Sequence, residues 1–112
     1  VQMCRKVEMS VLGIVENMST HICSQCGHEE PIFGSGGGSR MAEQYGVPLL
    51  GQLPLDLRIR EDLDHGRPTV VSAPESELTA SYRAAARRLA ARLSQAPRSL
   101  AVSLPQINIL NT

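Results

Sequence analysis

Two cysteine residues, Cys23 and Cys26, have the spacing of a metal-binding pair. The sequence CSQCG at 23 to 27 allows both thiolates to point to one side of a turn. Gly27 directly after the pair permits the tight backbone at which amide N–H groups can face the sulfur atoms. Because a closed tetrahedral site needs four ligands, the two cysteines predict one half of a metal site.

The other ligands have two possible sources. His21 and His28 flank the pair, so a Cys2His2 zinc site within one chain is conceivable, although these spacings are shorter than those of a zinc finger. A two-fold axis would instead bring Cys23 and Cys26 of a second chain to the same metal. Four thiolates suit zinc and a [4Fe-4S] cluster equally by count. Inert thiols or a redox pair are weaker alternatives, since a redox CxxC normally opens a helix.

The composition indicates a soluble domain, or part of a larger one, with no excess charge. The chain has 112 residues, of which 42% are hydrophobic and 20% charged, and its eleven basic and eleven acidic residues cancel. A role on nucleic acid or on an anionic membrane therefore has little support. No apolar run is long enough to span a membrane and no signal peptide is evident, so we expect a cytoplasmic protein.

The elements that must position the cysteines follow a strand, loop, helix, strand order. The apolar run VLGIV at 11–15 suits a strand buried on both faces, and a polar, glycine-rich loop covers 16–38. Residues 39–46 predict a short helix with Ser39 as its N-cap and Gly46 at its end, before a second strand at about 49–53. This βαβ order predicts a parallel sheet.

Helices are expected at both ends of this unit. Val1, Cys4 and Val7 have near-helical spacing, so Cys4 is expected to be a small core residue that binds no metal. Residues 55–66 predict a short helix. Ser72 and Glu75 have capping-box spacing before a longer helix that runs to about residue 93.

The longer helix is expected to have an apolar side and a charged side. The charged side is predicted to face solvent. The apolar stripe comprises Leu78, Tyr82, Ala85, Leu89 and Leu93, and the charged side carries Arg83, Arg87, Arg88 and Arg92. The tail at 97–112 is expected to be an extension that adds an edge strand or docks on a partner.

Two further motifs bear on ligand binding. The sequence GSGGGS at 34–39 is not a Walker A loop, because the only lysine of the chain is Lys6, and a flexible loop before a helix is favoured. Asn17 directly follows a predicted strand, at the edge where open α/β sheets bind ligands. Its amide can hydrogen-bond a base edge, but the residues alone favour a turn-forming role.

Taken together, VLGIVENMS, CSQCG, IFGSGGG, GVPLLGQLPLDLRIRE and DHGRPTVV resemble the C-terminal part of the Mrp/ApbC family of iron-sulfur cluster carrier ATPases. The resemblance covers about residues 1–93. It implies an α/β fold that is the C-terminal portion of a MinD-like, parallel-sheet P-loop NTPase without its N-terminal half. Residues 1–96, including a CxxC loop at about 20–38, would form this part, and residues 97–112 a C-terminal extension.

The resemblance also implies the ligands and partners. Members are homodimers that hold a [4Fe-4S] cluster between subunits and pass it to apo-proteins. Cys23 and Cys26 match the cluster ligands, Asn17 matches the residue that recognises the adenine of ATP, and Pro54 and Asp56 match its likeliest further contacts. Because the phosphate loop is missing, this chain alone is expected not to hydrolyse ATP. The alternative function is a zinc-stabilised interaction domain that uses the same cysteines.

Overall fold

The computed structural model describes residues 1–96, so the predicted role of the tail at 97–112 lies outside the described residues. The helices are α1 (Gln2–Lys6), α2 (Gly37–Tyr45), α3 (Leu57–Asp64), α4 (Thr69–Ser72) and α5 (Glu77–Gln95). The strands are β1 (Ile14–Glu16), β2 (His21–Ile22), β3 (Glu29–Glu30) and β4 (Leu49–Gln52). None of the helices within residues 1–96 combines the length and apolarity that crossing a membrane requires.

Strands β1 and β4 lie side by side in parallel, with α2 in the connection between them. Ile14 is the register partner of Leu49, and Glu16 is the partner of Gln52. This arrangement confirms the predicted α/β class with parallel strands. Strand β1 is shorter than the predicted 11–15, because regular pairing begins only at Ile14, whose N–H donates to the carbonyl of Pro48 over 2.9 Å.

The prediction that β1 is buried on both faces is wrong for the described chain. Val15 keeps 45% of its surface exposed. The physical reason is that, within residues 1–96, β1 has a paired neighbour along one edge only. The carboxyl end of β1 is nevertheless well fixed, and it is this end that carries the polar residues of interest.

Helix α2 begins two residues before the predicted start. Gly36, not Ser39, is the N-cap, and its φ of 74° is a left-handed conformation that glycine adopts without strain. Gly46 ends the helix with a φ of 63°, as predicted. The predicted loop at 16–38 also contains an antiparallel hairpin, in which β2 pairs with β3.

Helix α5 begins at a different cap from the one predicted. Ser76 is the N-cap, and its hydroxyl oxygen accepts a hydrogen bond from the Thr79 amide over 3.2 Å. The predicted capping box at Ser72 and Glu75 is wrong, since Ser72 ends α4 and its hydroxyl donates to Asp62 over 2.7 Å. The helix expected at 55–66 is confirmed as α3.

The core lies between α5 and β4. Leu50 on the strand and Leu78 on the helix are 3% and 4% exposed. Gly51 allows the closest approach, because a Cβ atom built there would lie 2.8 Å from the Cβ of Ala85. The glycine in β4 therefore sets the distance between helix and sheet.

The C-terminal half of α5 does not follow the predicted division into apolar and charged sides. Leu89 and Leu93 are exposed. Arg88 donates from Nη1 to the carbonyl of Leu50 over 3.1 Å, and Arg92 donates from Nε to the carbonyl of Leu12 over 3.3 Å. Both side chains stay exposed, as predicted for the charged side, while their guanidinium groups also reach the carbonyl of Leu50 in β4 and that of Leu12 before β1.

Candidate metal centre and ligand cleft

The hairpin of β2 and β3 presents both candidate metal ligands in the turn that joins its strands. The Cys23 amide donates to the carbonyl of His28 over 2.9 Å, and the Gly27 amide donates to the carbonyl of Cys23 over 2.8 Å. Gly27 has a φ of 73°, which confirms the prediction that a glycine permits this turn. Cys23 is half-buried and Cys26 is exposed, and both are free thiols.

The turn lowers the pKa of Cys23. The backbone N–H of Cys26 is the largest cause, followed by the N–H of Gln25 and the thiol of Cys26, while burial and the Glu30 carboxylate oppose the shift. Amide groups that face the sulfur stabilise its negative charge, as the sequence predicted. The thiolate is the form that binds metals, so the hairpin favours the metal-binding state of Cys23.

Neither histidine completes a metal site with the two cysteines. Within residues 1–96, no group of three or more His, Cys, Asp or Glu side chains lies close enough to hold a metal ion. His28 instead lies 3.9 Å from Glu30, between Nε2 and Oε2, with most of its side chain exposed. His21 lies in β2. A four-ligand centre at Cys23 and Cys26 therefore requires ligands from outside the described part of this chain.

The hairpin is attached to the segment that follows β4. The Leu55 amide donates to the carbonyl of Thr20 over 2.6 Å, and the Ile22 amide donates to the carbonyl of Leu55 over 3.0 Å. His21 and Leu55 form a parallel bridge between the two segments. The residue directly before Cys23 is thus hydrogen-bonded to the residue directly after Pro54.

A cleft of about 750 Å³ opens at the carboxyl ends of β1 and β4, where parallel sheets commonly bind ligands. Pro54 lines this cleft, as does Arg58. The other lining residues are Glu16, Ser19, Thr20, Ile22, Gly27, Glu29, Pro31, Ser35, Gly36, Gln52, Glu75, Ser76, Glu77, Leu78 and Ser81. The structure thus brings Pro54 and the hairpin to one cleft.

Asn17 stands in the turn directly after β1. Its side-chain Oδ1 accepts a hydrogen bond from the Met18 amide over 2.9 Å, and Met18 has a φ of 53°. This contact is the turn-forming role that the residues alone favoured. The residue is exposed, and its side-chain NH2 group remains available to a ligand because Oδ1 alone makes the turn.

Asp56 is a buried helix cap. Its Oδ1 accepts from the Arg58 amide over 2.8 Å and from Arg58 Nε over 2.9 Å, while Oδ2 accepts from Nη2 over 2.7 Å. The hydrogen bonds from the Arg58 side chain are the main cause of a lowered pKa at Asp56, against the effect of burial. Both carboxylate oxygens are thus engaged in holding the start of α3.

Glu16 is a site residue that the sequence analysis did not single out. Its Oε2 accepts from the Gly38 amide and from Gln52 Nε2, each over 3.2 Å. A Cβ atom at Gly38 would lie 2.6 Å from that same oxygen, so glycine is required for the contact. The carboxylate thereby fixes the first turn of α2 against the carboxyl end of the sheet. A glycine run before a helix is its only signal in the sequence.

Parallel strands around a crossover helix, a cleft at their carboxyl ends and a paired-thiol hairpin define an α/β protein with a candidate ligand cleft and a candidate metal centre. A family model described as ParA, the NUBPL iron-transfer P-loop NTPases, matches residues 1–90. The chain belongs to this family, which confirms the resemblance seen in its motifs.

Two similar proteins, one bacterial and one from mouse, agree with this family assignment. The chain is 64% identical over 93 residues to the iron-sulfur cluster carrier protein of Salmonella typhimurium, an alignment that covers 83% of this chain and 25% of the relative. It is 41% identical over 96 residues to the mouse iron-sulfur cluster transfer protein NUBPL, covering 86% of this chain and 30% of that protein. The chain therefore spans about a quarter of the length of the bacterial relative.

A solved structure is similar in fold. It is a nucleotide-binding protein from Archaeoglobus fulgidus in complex with ADP, with a TM-score of 0.54 and 32% identity. The match covers 70% of this chain and 31% of that one. The parallel-sheet architecture of the described residues is thus shared with a nucleotide-binding protein.

Proposed function

We propose that this chain is the cluster-binding part of an iron-sulfur cluster carrier, in which Cys23 and Cys26 hold a [4Fe-4S] cluster as cargo. The observation that carries the proposal is the hairpin, which presents two thiols together, lowers the pKa of Cys23 and offers no third ligand of its own. Two such hairpins supply four thiolates, the number that a cubane cluster requires. The cluster therefore lies between two copies of the chain, which form a homodimer.

The cargo is passed on to apo iron-sulfur proteins. The names of the relatives, a cluster carrier and a cluster transfer protein, support this step. Exposure of Cys26 is consistent with transfer, because an acceptor thiolate must reach the cluster to replace a ligand. We place the protein in the cytoplasm. Thiols stay reduced in that compartment, so Cys23 and Cys26 remain able to bind a cluster there.

In a polypeptide that also carries a phosphate-binding half, the cleft holds the base of ATP. Pro54 in the cleft packs against the ring. Asn17, which stands in the turn after β1 beside the residues that line the cleft, offers its side-chain NH2 group to the adenine edge. Asp56 supports this surface by fixing the start of α3, which follows Pro54 and Leu55 in the chain. The described chain carries no lysine-bearing phosphate loop, so we expect no ATP turnover from it; metal-dependent hydrolysis by pure chain would contradict this.

Anaerobic reconstitution with iron and sulfide tests the proposal. We expect a brown protein with an absorption band of the cubane type and about two iron and two sulfide per chain, since two chains share one cluster. The zinc alternative rests on the same turn, because its thiolates suit zinc equally well. A colourless protein that retains zinc through reconstitution would support that alternative and reject the cluster.

A further inference from the structure

The backbone of residues 53–55, which we call the 53–55 segment, is hydrogen-bonded to both candidate sites. On one side, the Leu53 amide donates to the carbonyl of Glu16 over 2.8 Å. The Ser19 amide and hydroxyl both donate to the carbonyl of Leu53, over 3.0 and 3.2 Å. Asn17 lies inside this loop, between Glu16 and Ser19.

On the other side, the same segment holds the hairpin. Leu55 donates to Thr20 and accepts from Ile22, and Cys23 follows directly. Only Pro54 separates the two sets of hydrogen bonds. Proline has a fixed φ and no N–H, so the segment has little freedom to absorb a displacement at one end without moving the other.

Ser19 is suited to a positioning role. It is only 9% exposed, and its hydroxyl hydrogen bond to Leu53 is its side-chain contact. A buried hydroxyl must be satisfied, so this side chain fixes the distance between the loop with Asn17 and the 53–55 segment.

We infer that the 53–55 segment couples the ligand cleft to the thiol hairpin, with Ser19 and Leu55 as positioning residues at its two ends. This inference rests on the proposed function. Metal bound at Cys23 and Cys26 fixes the end of β2, which through Ile22 and Leu55 orders the surface around Pro54. Because coupling is reciprocal, a ligand on Pro54 changes the affinity of the thiols for metal by the same factor.

Amide hydrogen exchange on the whole chain tests the coupling, with Zn²⁺ alone as the probe. Metal binding is followed separately by competition with a chromophoric chelator. In the wild-type chain we expect Zn²⁺ to slow exchange at Leu55, Leu53 and Ser19 by about fivefold or more, the lower end of typical coupling effects. Slowing that is confined to residues 21–30 would overturn the inference.

Two variants separate positioning from general stability. In Ser19→Ala, we expect the zinc-induced slowing to persist at Leu55 and Leu53 and to fall away at the amide of residue 19, because the loop has lost its side-chain contact with the segment. Ser94→Ala is the matched control, because the Ser94 hydroxyl donates to the carbonyl of Ala91 on an exposed part of α5, far along the chain from both sites. It should show the wild-type pattern, and equal effects of the two variants would contradict a specific role for Ser19.

The failure of the proposed function is distinguishable from the failure of the coupling. If the chelator competition shows no zinc binding, the metal site is rejected. The coupling is then tested in a Cys4→Ala background by alkylating Cys23 and Cys26 with iodoacetamide, which crowds the same turn. Exchange at Leu55 and Leu53 should accelerate by about fivefold or more if the segment couples the sites. Unchanged rates there would overturn the coupling.

Discussion

The Gly27 amide donates to the Cys23 carbonyl across 2.8 Å, and this hydrogen bond closes the turn that carries both thiols. Gly27 has a φ of 73°, and no neighbouring atom lies within 4 Å of the position that a Cβ atom would occupy there. The requirement for glycine is therefore one of backbone conformation and not of space. This distinction determines what a substitution at Gly27 will do.

We predict that Gly27→Ala weakens metal binding at the hairpin. The left-handed backbone costs an alanine about 1 to 2 kcal/mol, and the turn can relax by turning its amides away from Cys23. Metal affinity should fall about tenfold, measured by chelator competition. Gly66→Ala is the control, since Gly66 has a φ of 68° and open space but follows α3. An equal loss in both variants would show that only global stability is affected.

We predict that Asp56 makes stability depend on acid. Its folded pKa lies below the ordinary 3.8, so its contribution is fully present above that value and is lost as the pH falls through the folded pKa. Asp56→Asn should therefore lower the free energy of unfolding near pH 7, by about 1 kcal/mol given the exposed Arg58 guanidinium, and the difference from wild type should shrink as the pH falls below 3.8.

Urea unfolding at several pH values measures this effect. Asp64→Asn is the control, because Asp64 is exposed in the same helix and pairs with Arg60 over 3.5 Å on the surface. We expect little change in that variant at any pH. A constant difference between Asp56→Asn and wild type from pH 7 to pH 2 would contradict the assigned ion pair.

We predict that Gly51→Ala destabilises the contact between β4 and α5. The new methyl group would lie 2.8 Å from the Cβ of Ala85, so strand and helix must move apart. The expected cost is about 1 to 3 kcal/mol in the free energy of unfolding. In an Ala85→Gly background the same substitution should cost less, because the opposing methyl is gone. Additive effects of the two changes would show that they do not meet.

The parts of the fold that follow from hydrophobic pattern could be predicted from the sequence. Two short apolar runs around a helical stretch indicated the parallel βαβ order correctly, because such runs and the helical stretch between them are local features of the sequence. The turn at Gly27 was also predictable, since a glycine directly after a CxxC pair has a local conformational meaning.

The features that depend on long-range contacts could not be predicted. Helix α2 begins at a glycine cap because the carboxylate of Glu16, 22 residues earlier, receives the amide of Gly38. Arg88 donates to the carbonyl of Leu50, which lies 38 residues earlier in the chain. The start of α2 and the contact of Arg88 both depend on residues that are distant in sequence. Local propensity alone therefore does not predict them.

The roles of Asn17, Pro54 and Asp56 remain predictions. The structure places Pro54 in the cleft and Asn17 at its sequence-predicted strand end, whereas Asp56 is engaged by Arg58. The sequence could not indicate this last contact, because a helix cap and a ligand-binding aspartate look alike in a single sequence.

The most direct test of the account is the iron and sulfide content of three cysteine variants after anaerobic reconstitution, with the dimer fraction measured alongside. Cys23→Ala and Cys26→Ala each leave two thiolates in a pair of chains, too few for a cubane, so cluster content should collapse. Cys4→Ala is the matched control, because Cys4 lies half-buried in α1, away from the hairpin in sequence, and should keep about two iron per chain. Full retention of iron and sulfide in Cys23→Ala, or their complete loss in Cys4→Ala, would contradict the assignment of the cluster to the Cys23–Cys26 hairpin.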